Sequence, residues 1–298
     1  MIMVKKINKK LLSDLKGYRI VGNHSAVKLC LWLKKSLRDR GVCYKQKFYG
    51  IKSHRCLQMT PALICNQNCI YCWRPLSLLP EISGWNSAEF IAEESIKAQK
   101  VLLSGFGGLS DVNTKKLEEA KNPNQVAISL IGEPTLYPYL DELVDIYNSK
   151  KMTTFVVTNG TNPEMVEKIE PYQLYISLTA YSEESHLIIN RPKKNFWSEI
   201  LKSLKIMSNK DCRTVLRITL IKGLNFIPGN FVELIDRATP DFIEVKAYMH
   251  LGYSRLRLER TAMPEHEEVK KFVEEIEKLT EYRIEDESKI SRVVLLSR

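Results

Sequence analysis

The chain has 298 residues, 45 Lys plus Arg against 35 Asp plus Glu, and 44% hydrophobic residues, which is enough apolar content for a substantial core and excludes disorder as the dominant state. No run of about 18 apolar residues occurs, and the four lysines of the first ten residues precede no apolar stretch. A soluble, cytoplasmic protein with no membrane partner is therefore expected, and seven cysteines, an odd number, argue for thiolate chemistry in a reducing compartment over a disulfide framework.

In chain order, residues 1–60 come first and hold most of the charge. They carry 15 Lys and Arg against only Asp14 and Asp39, while the rest of the chain has a slight acidic excess. A basic segment of this density fits a polyanion, nucleic acid above all. The plainer alternative is that Lys5, Lys6, Lys9, Lys10, Lys34, Lys35, Arg38 and Arg40 only solvate helix faces. Trp32, Tyr44, Phe48 and Tyr49, interleaved with these bases, favour RNA, whose unstacked bases lie on aromatic faces. From residue 57 onward, apolar β-branched runs at 62–64, 126–130, 153–158, 174–178, 215–220 and 242–245 predict strands. Helical patterns at 87–102, 139–149, 163–169, 196–207, 230–237 and 265–279 follow them, several opened by Pro, Asn or Ser. This alternation predicts an α/β fold with a parallel sheet, as one domain over 57–298 behind a basic extension over 1–56. An open doubly wound sheet and a barrel lacking two units both satisfy it, and either collects reactive groups at the C-terminal ends of the strands.

Cys65, Cys69 and Cys72, in CNQNCIYC, follow the first predicted strand. Structural zinc takes four protein ligands, whereas a 4Fe–4S cluster on three thiolates keeps one iron open for substrate, so three cysteines at this spacing favour the cluster. A thioredoxin-like pair at Cys69 and Cys72 would open a helix without the third cysteine upstream. Cys30, Cys43 and Cys56 recur at equal spacing too loose to be specific, and Cys212 stands outside any motif.

The CxxxCxxC loop with Tyr71 before its last cysteine, and Gly132-Glu133-Pro134 after the second strand, resemble the radical S-adenosylmethionine (SAM) enzymes. That resemblance implies the partial (βα)6 barrel. The blocks AVKLC, CYKQKFYG, HRCLQMTP, AISLIGEPTLYPYLDEL, TTFVVTNGT and KAYMHLGYSRLRL are similar to the tRNA 4-demethylwyosine synthases, in their stand-alone archaeal form. The resemblance implies a lyase-type radical reaction. In it, N1-methylguanosine beside the anticodon of tRNA(Phe) takes two carbons from pyruvate to form tricyclic 4-demethylwyosine. It also implies two 4Fe–4S clusters, the first on Cys65, Cys69 and Cys72 and the second on Cys30, Cys43 and Cys56. SAM would meet Glu133, Thr158, Asn159, Ser177 and Arg217. Electrons would come from a separate flavodoxin or ferredoxin, and the chain is expected to act as a monomer.

Pyruvate would be held either by a lysine Schiff base or by the open iron of the second cluster. Lys45 is the first candidate amine and Lys246 the second. Lys28, Lys34, Lys35, Lys47, Lys52, Arg255, Arg257 and Arg260 would hold tRNA phosphates, so binding should weaken steeply with salt. One departure stands out: the family usually shows Ser-Leu-Asp-Ala where this chain has Ser177-Leu178-Thr179-Ala180. A weaker ribose contact or a compensating neighbour is expected there. The alternatives are another radical SAM enzyme, such as an activase of a glycyl-radical protein, and a zinc-containing RNA-binding protein.

Overall fold

The computed structural model describes residues 16–75, 82 and 84–298; Lys5, Lys6, Lys9 and Lys10 lie outside them. Two compact units divide the described residues, one made of those within 1–65, 76–156 and 169–172, the other of those within 66–75, 157–168 and 173–298. Among the described residues no helix is long and apolar enough to cross a membrane.

The first unit begins with an antiparallel hairpin, β1 (Tyr18–Val21) and β2 (Ser25–Lys28), with β2 antiparallel to β3 (Cys56–Thr60). Strands β3, β4 (Gln125–Ile128) and β5 (Thr153–Thr158) then run parallel. Two short helices, α1 (Leu31–Ser36) and α2 (Tyr44–Tyr49), lie between β2 and β3. Leu29, Leu33 and Leu37 pack with Leu103 of α3 (Ala88–Ser104) and with Leu117 and Ala120 of α4 (Thr114–Ala120). Helix α5 (Leu140–Ser149) buries Leu140, Leu143, Val144 and Tyr147, the i, i+3, i+4, i+7 stripe of an amphipathic helix.

His24 pins the start of this unit. Fully buried, its Nδ1–H donates to the Pro61 carbonyl at 2.7 Å while Nε2 accepts from the Asn86 N–H at 2.8 Å, and its ring packs against Trp85 and Tyr137. Burial holds its pKa below the ordinary 6.5, the Pro61 bond opposing in part. A depressed histidine contributes stability that is complete above the unfolded pKa and is lost as pH falls through the folded one. The melting temperature should therefore drop below about pH 6.5, and the gap between wild type and His24→Asn should narrow there. A gap independent of pH would refute the neutral-imidazole account.

In the second unit, helix α6 (Pro163–Lys168) precedes the parallel strands β6 (Gln173–Ser177), β7 (Arg213–Leu220) and β8 (Phe242–Ala247). Helices α7 (Glu183–Asn190) and α8 (Trp197–Met207) connect β6 to β7, and α9 (Gly229–Ala238) connects β7 to β8. An antiparallel hairpin, β9 (Arg283–Ser288) and β10 (Val293–Ser297), follows α10 (His266–Leu279) and places β10 beside β8.

The six expected strands are present as β3 to β8, but the first lies at Cys56–Thr60, not at 62–64. Residues 62–64 are instead loop, with Ala62 and Leu63 buried and the Leu63 N–H donating to the His24 carbonyl, so their apolar character reflects burial without a ladder. Both terminal hairpins, and helices α1, α2, α4 and α7, were not among the predicted elements.

Candidate active site

Cys30, Cys43 and Cys56 come together in the first unit although twelve residues separate each from the next. Cys30 is the N-cap of α1, its Sγ accepting the Leu33 N–H at 3.2 Å; Cys43 is the N-cap of α2, its N–H bound to Ser53 Oγ at 2.9 Å; Cys56 opens β3. Burial pushes the Cys30 thiol up to about 11, and the nearby Cys43 adds to it. Burial raises Cys56 further, Cys30 and Cys43 adding repulsion and Lys45 attraction. Burial thus keeps the Cys30 and Cys56 thiols protonated close to Cys43, a set of sulfur donors whose protons a bound metal would replace. Lys45 lies in the first turn of α2, Nζ 4.5 Å from the centre of the Phe155 ring.

Gly132 and Glu133 sit against the segment that follows β3. Gly132 has φ of +77°, and a Cβ there would overlap the carbonyl oxygens of Ala62 and Ile64. The Glu133 N–H donates to Ile64 O at 2.7 Å, and its buried carboxylate accepts from the N–H (3.1 Å) and hydroxyl (2.7 Å) of Thr135. Only glycine combines that φ with so close an approach. Gly132→Ala should cost at least about 2 kcal/mol and lower SAM affinity together with the melting temperature. Unchanged binding by calorimetry would count against this placement of Glu133.

In the second unit, Cys69 and Cys72 lie on a loop held from several sides. Asn190 Nδ2 donates to Cys69 Sγ at 3.4 Å, the Tyr71 hydroxyl also bonds to Cys69, and Arg257 donates from Nε to the Ile70 carbonyl at 3.1 Å and from Nη2 to that of Cys72. Burial pushes the Cys69 thiol up to about 12 and raises Cys72, where Arg74 and Arg257 oppose it. Gln67 Nε2 is buried without an acceptor among the described residues. Cys69 donates its own S–H to Gln67 Oε1 at 3.3 Å and receives the Asn190 and Tyr71 donors, and loss of that proton to a metal would leave a sulfur already supplied with N–H and O–H donors, as the ligand shell of an iron–sulfur cluster requires.

Nearby polar groups are already organised. Asn159 Nδ2 donates to Asn66 Oδ1 at 2.9 Å, Asn66 Nδ2 donates to Thr161 Oγ1 at 2.7 Å, and the Thr161 hydroxyl donates to Asn159 Oδ1 at 2.7 Å. Thr158, buried, accepts the Gly160 N–H. Ser177 ends β6 in register with Arg217. Arg217 donates from Nε and Nη2 to one oxygen of fully buried Glu244, at 2.9 and 2.8 Å, and lies 4.4 Å over the Tyr175 ring. Thr219 stands in register with Lys246, which the alternation of a strand places on the same face as Glu244.

Residues 59–236 match the radical SAM superfamily and residues 237–298 match the wyosine base formation family. The chain is 51% identical to the S-adenosyl-L-methionine-dependent tRNA 4-demethylwyosine synthase of Pyrococcus horikoshii, over 94% of this chain and 86% of that protein. It is 47% identical to the enzyme of the same name from Methanocaldococcus jannaschii, over 94% and 92%. A solved structure described as TYW1 with a lysine-pyruvate adduct bound superposes with a TM-score of 0.91 at 45% identity, covering 98% of this chain and 96% of that one. The chain belongs to the tRNA 4-demethylwyosine synthases.

As a 4-demethylwyosine synthase it is a SAM-dependent radical enzyme that carries an iron–sulfur cluster and acts on tRNA. Its fold class is the α/β partial barrel of the radical SAM superfamily, as expected from the sequence. The activase and zinc-protein readings fall away.

At the departure from the family's usual Asp, Thr179 is buried and donates through Oγ1 to the Tyr71 hydroxyl at 3.0 Å, while its carbonyl accepts from Asn225. Its hydroxyl thus supports the cysteine loop. Among the basic candidates, Lys47, Lys52, Arg255 and Arg260 are exposed and Lys34 is half-buried. Lys28 bonds to the Lys16 carbonyl and lies 4.1 Å over Tyr18, and Lys35 lies 5.0 Å over Trp32. Arg257 is committed to the cysteine loop. Sequence reasoning missed Asn66, Gln67, Asn190 and Glu244; the first two stand inside CNQNCIYC, but Asn190 and Glu244 carry no local signal.

Proposed function

We propose that this synthase condenses N1-methylguanosine beside the anticodon of tRNA(Phe) with two carbons of pyruvate. The observation that carries this reading is that Cys56, close to Cys30 and Cys43, is also attracted by the Lys45 cation, so that an amine and three sulfur donors share one region of the first unit. In this reading residues 1–56 form the basic extension and 57–298 the barrel, and the second 4Fe–4S cluster is held by Cys30, Cys43 and Cys56.

Cys65, Cys69 and Cys72 would hold the 4Fe–4S cluster, which together with SAM would supply the radical chemistry. The chain's own residues orient the reactants. Glu133, braced through one oxygen by Thr135, accepts from the SAM amino group. Thr158, Asn159 and Ser177 address ribose and carboxylate oxygens, and Arg217, steadied by Glu244, supplies positive charge toward the carboxylate. The Lys45 amine, in its neutral form, attacks the ketone carbon of pyruvate; water leaves and a Schiff base remains. The relative described with a lysine-pyruvate adduct supports this route, and Lys246 is the second choice. A cluster held by Cys30, Cys43 and Cys56 would alternatively supply a Lewis-acidic site for pyruvate. Lys28, Lys34, Lys35, Lys47, Lys52, Arg255 and Arg260 hold tRNA phosphates, and Arg257 acts through the cysteine loop. A flavodoxin- or ferredoxin-type donor supplies electrons, and the monomer is the working unit.

Anaerobic incubation with reductant, SAM, N1-methylguanosine tRNA and uniformly 13C-labelled pyruvate tests the reading. The digested tricyclic nucleoside should carry two labelled carbons by mass spectrometry. A product without label would exclude pyruvate as the donor.

A further inference from the structure

The cysteine loop is sewn to the C-terminal end of α7. The Asn68 N–H donates to the carbonyls of Asn190 and Arg191 at 3.0 and 3.1 Å, the Ile70 N–H donates to that of Ile189 at 2.9 Å, and Gln67 forms an isolated bridge with Pro192. These bonds place the Asn190 side chain, 4% exposed, against the loop. Its Nδ2 donates one hydrogen to Cys69 Sγ at 3.4 Å and the other to Gln67 Oε1 at 3.3 Å. Asn190 also interacts with the His186 ring, one turn earlier on α7, while Gln67 Nε2 is buried without a partner among the described residues.

Burying an amide costs desolvation that its hydrogen bonds only offset, so packing alone does not call for a polar side chain at this position. What the amide does provide is a fixed N–H aimed at a sulfur. Such a hydrogen bond is stronger the more negative the sulfur, and the sulfurs of an iron–sulfur cluster become more negative on reduction. It therefore favours the reduced state. We infer that Asn190 is a positioning residue that raises the reduction potential of the SAM-binding cluster through its hydrogen bond to Cys69. This rests on the reading that Cys65, Cys69 and Cys72 hold that cluster. The Tyr71 hydroxyl, braced by Thr179, is a second donor to the same sulfur, so Asn190 supplies part of the effect and not all of it.

The test is an EPR-monitored redox titration of the anaerobically reconstituted enzyme, following the component whose signal changes when SAM is added. Iron content and melting temperature are measured alongside. Asn190→Leu removes the donor at similar volume, and Asn190→Asp replaces it with a negative charge. Asn190→Leu should shift the reduced-to-oxidised ratio about tenfold toward oxidised, a fall of about 59 mV for one electron, and Asn190→Asp should fall further. Both variants should keep full iron. Unchanged potentials with full iron would overturn the inference, as would loss of the cluster in both variants, which would make Asn190 a purely structural residue. A wild-type enzyme without a SAM-responsive cluster would instead overturn the reading beneath it.

Discussion

Alanine at Cys65, Cys69 and Cys72 together is expected to lower iron from about eight to about four per chain and to abolish product formation. The remaining iron should leave when Cys30, Cys43 and Cys56 are replaced in the same way. The two triples are expected to differ in a second respect. The first should lose reductive SAM cleavage altogether. The second should retain it, releasing 5′-deoxyadenosine without converting tRNA, because its cysteines group with Lys45 and not with the Gly132-Glu133 segment. Iron and sulfide analysis with chromatography of 5′-deoxyadenosine checks both. Full iron in either triple would show that its cysteines are not ligands, and zinc in place of iron would sink the cluster assignment.

Lys45→Arg is expected to reduce product formation by about 10³-fold or more, because the step that holds pyruvate next to its acceptor is lost. The substitution keeps a cation above Phe155 and near Cys56, so the fold and the field on the thiols are retained. What disappears is an amine able to condense with a ketone, since guanidinium stays protonated in proteins. Borohydride reduction in the presence of pyruvate should add the pyruvate-derived mass to the peptide containing Lys45 in wild type and to no peptide in the variant. Trapping at Lys246, or an unchanged rate for Lys45→Arg, would remove the Schiff-base role from Lys45.

Much of the site was legible because its chemistry is written in short spacing. Cys65, Cys69 and Cys72 share one loop, and Gly132-Glu133-Pro134 needs its glycine for a positive φ and a close backbone approach. The central strands were legible for a related reason: strands buried on both faces read as continuous apolar runs. The first strand misled because Ala62, Leu63 and Ile64 are more apolar than CLQMT, although only the latter carries the ladder. The terminal hairpins were missed because the half-exposed β9, RIEDES, has the composition of a loop and becomes a strand only through its pairing with β10.

The sequence by itself determined the α/β class, the cysteine loop and the family's chemistry, since each depends on residues near one another in the chain. It took the folded chain to show that Cys56 lies close to Cys30, Cys43 and Lys45, that Arg217 is bound to Glu244, and that Asn190 reaches Cys69 from 121 residues away. Local spacing sets what one loop can present, but contacts between distant segments depend on how strands register and helices pack. A single polar residue carries no periodic mark of the partner it will find.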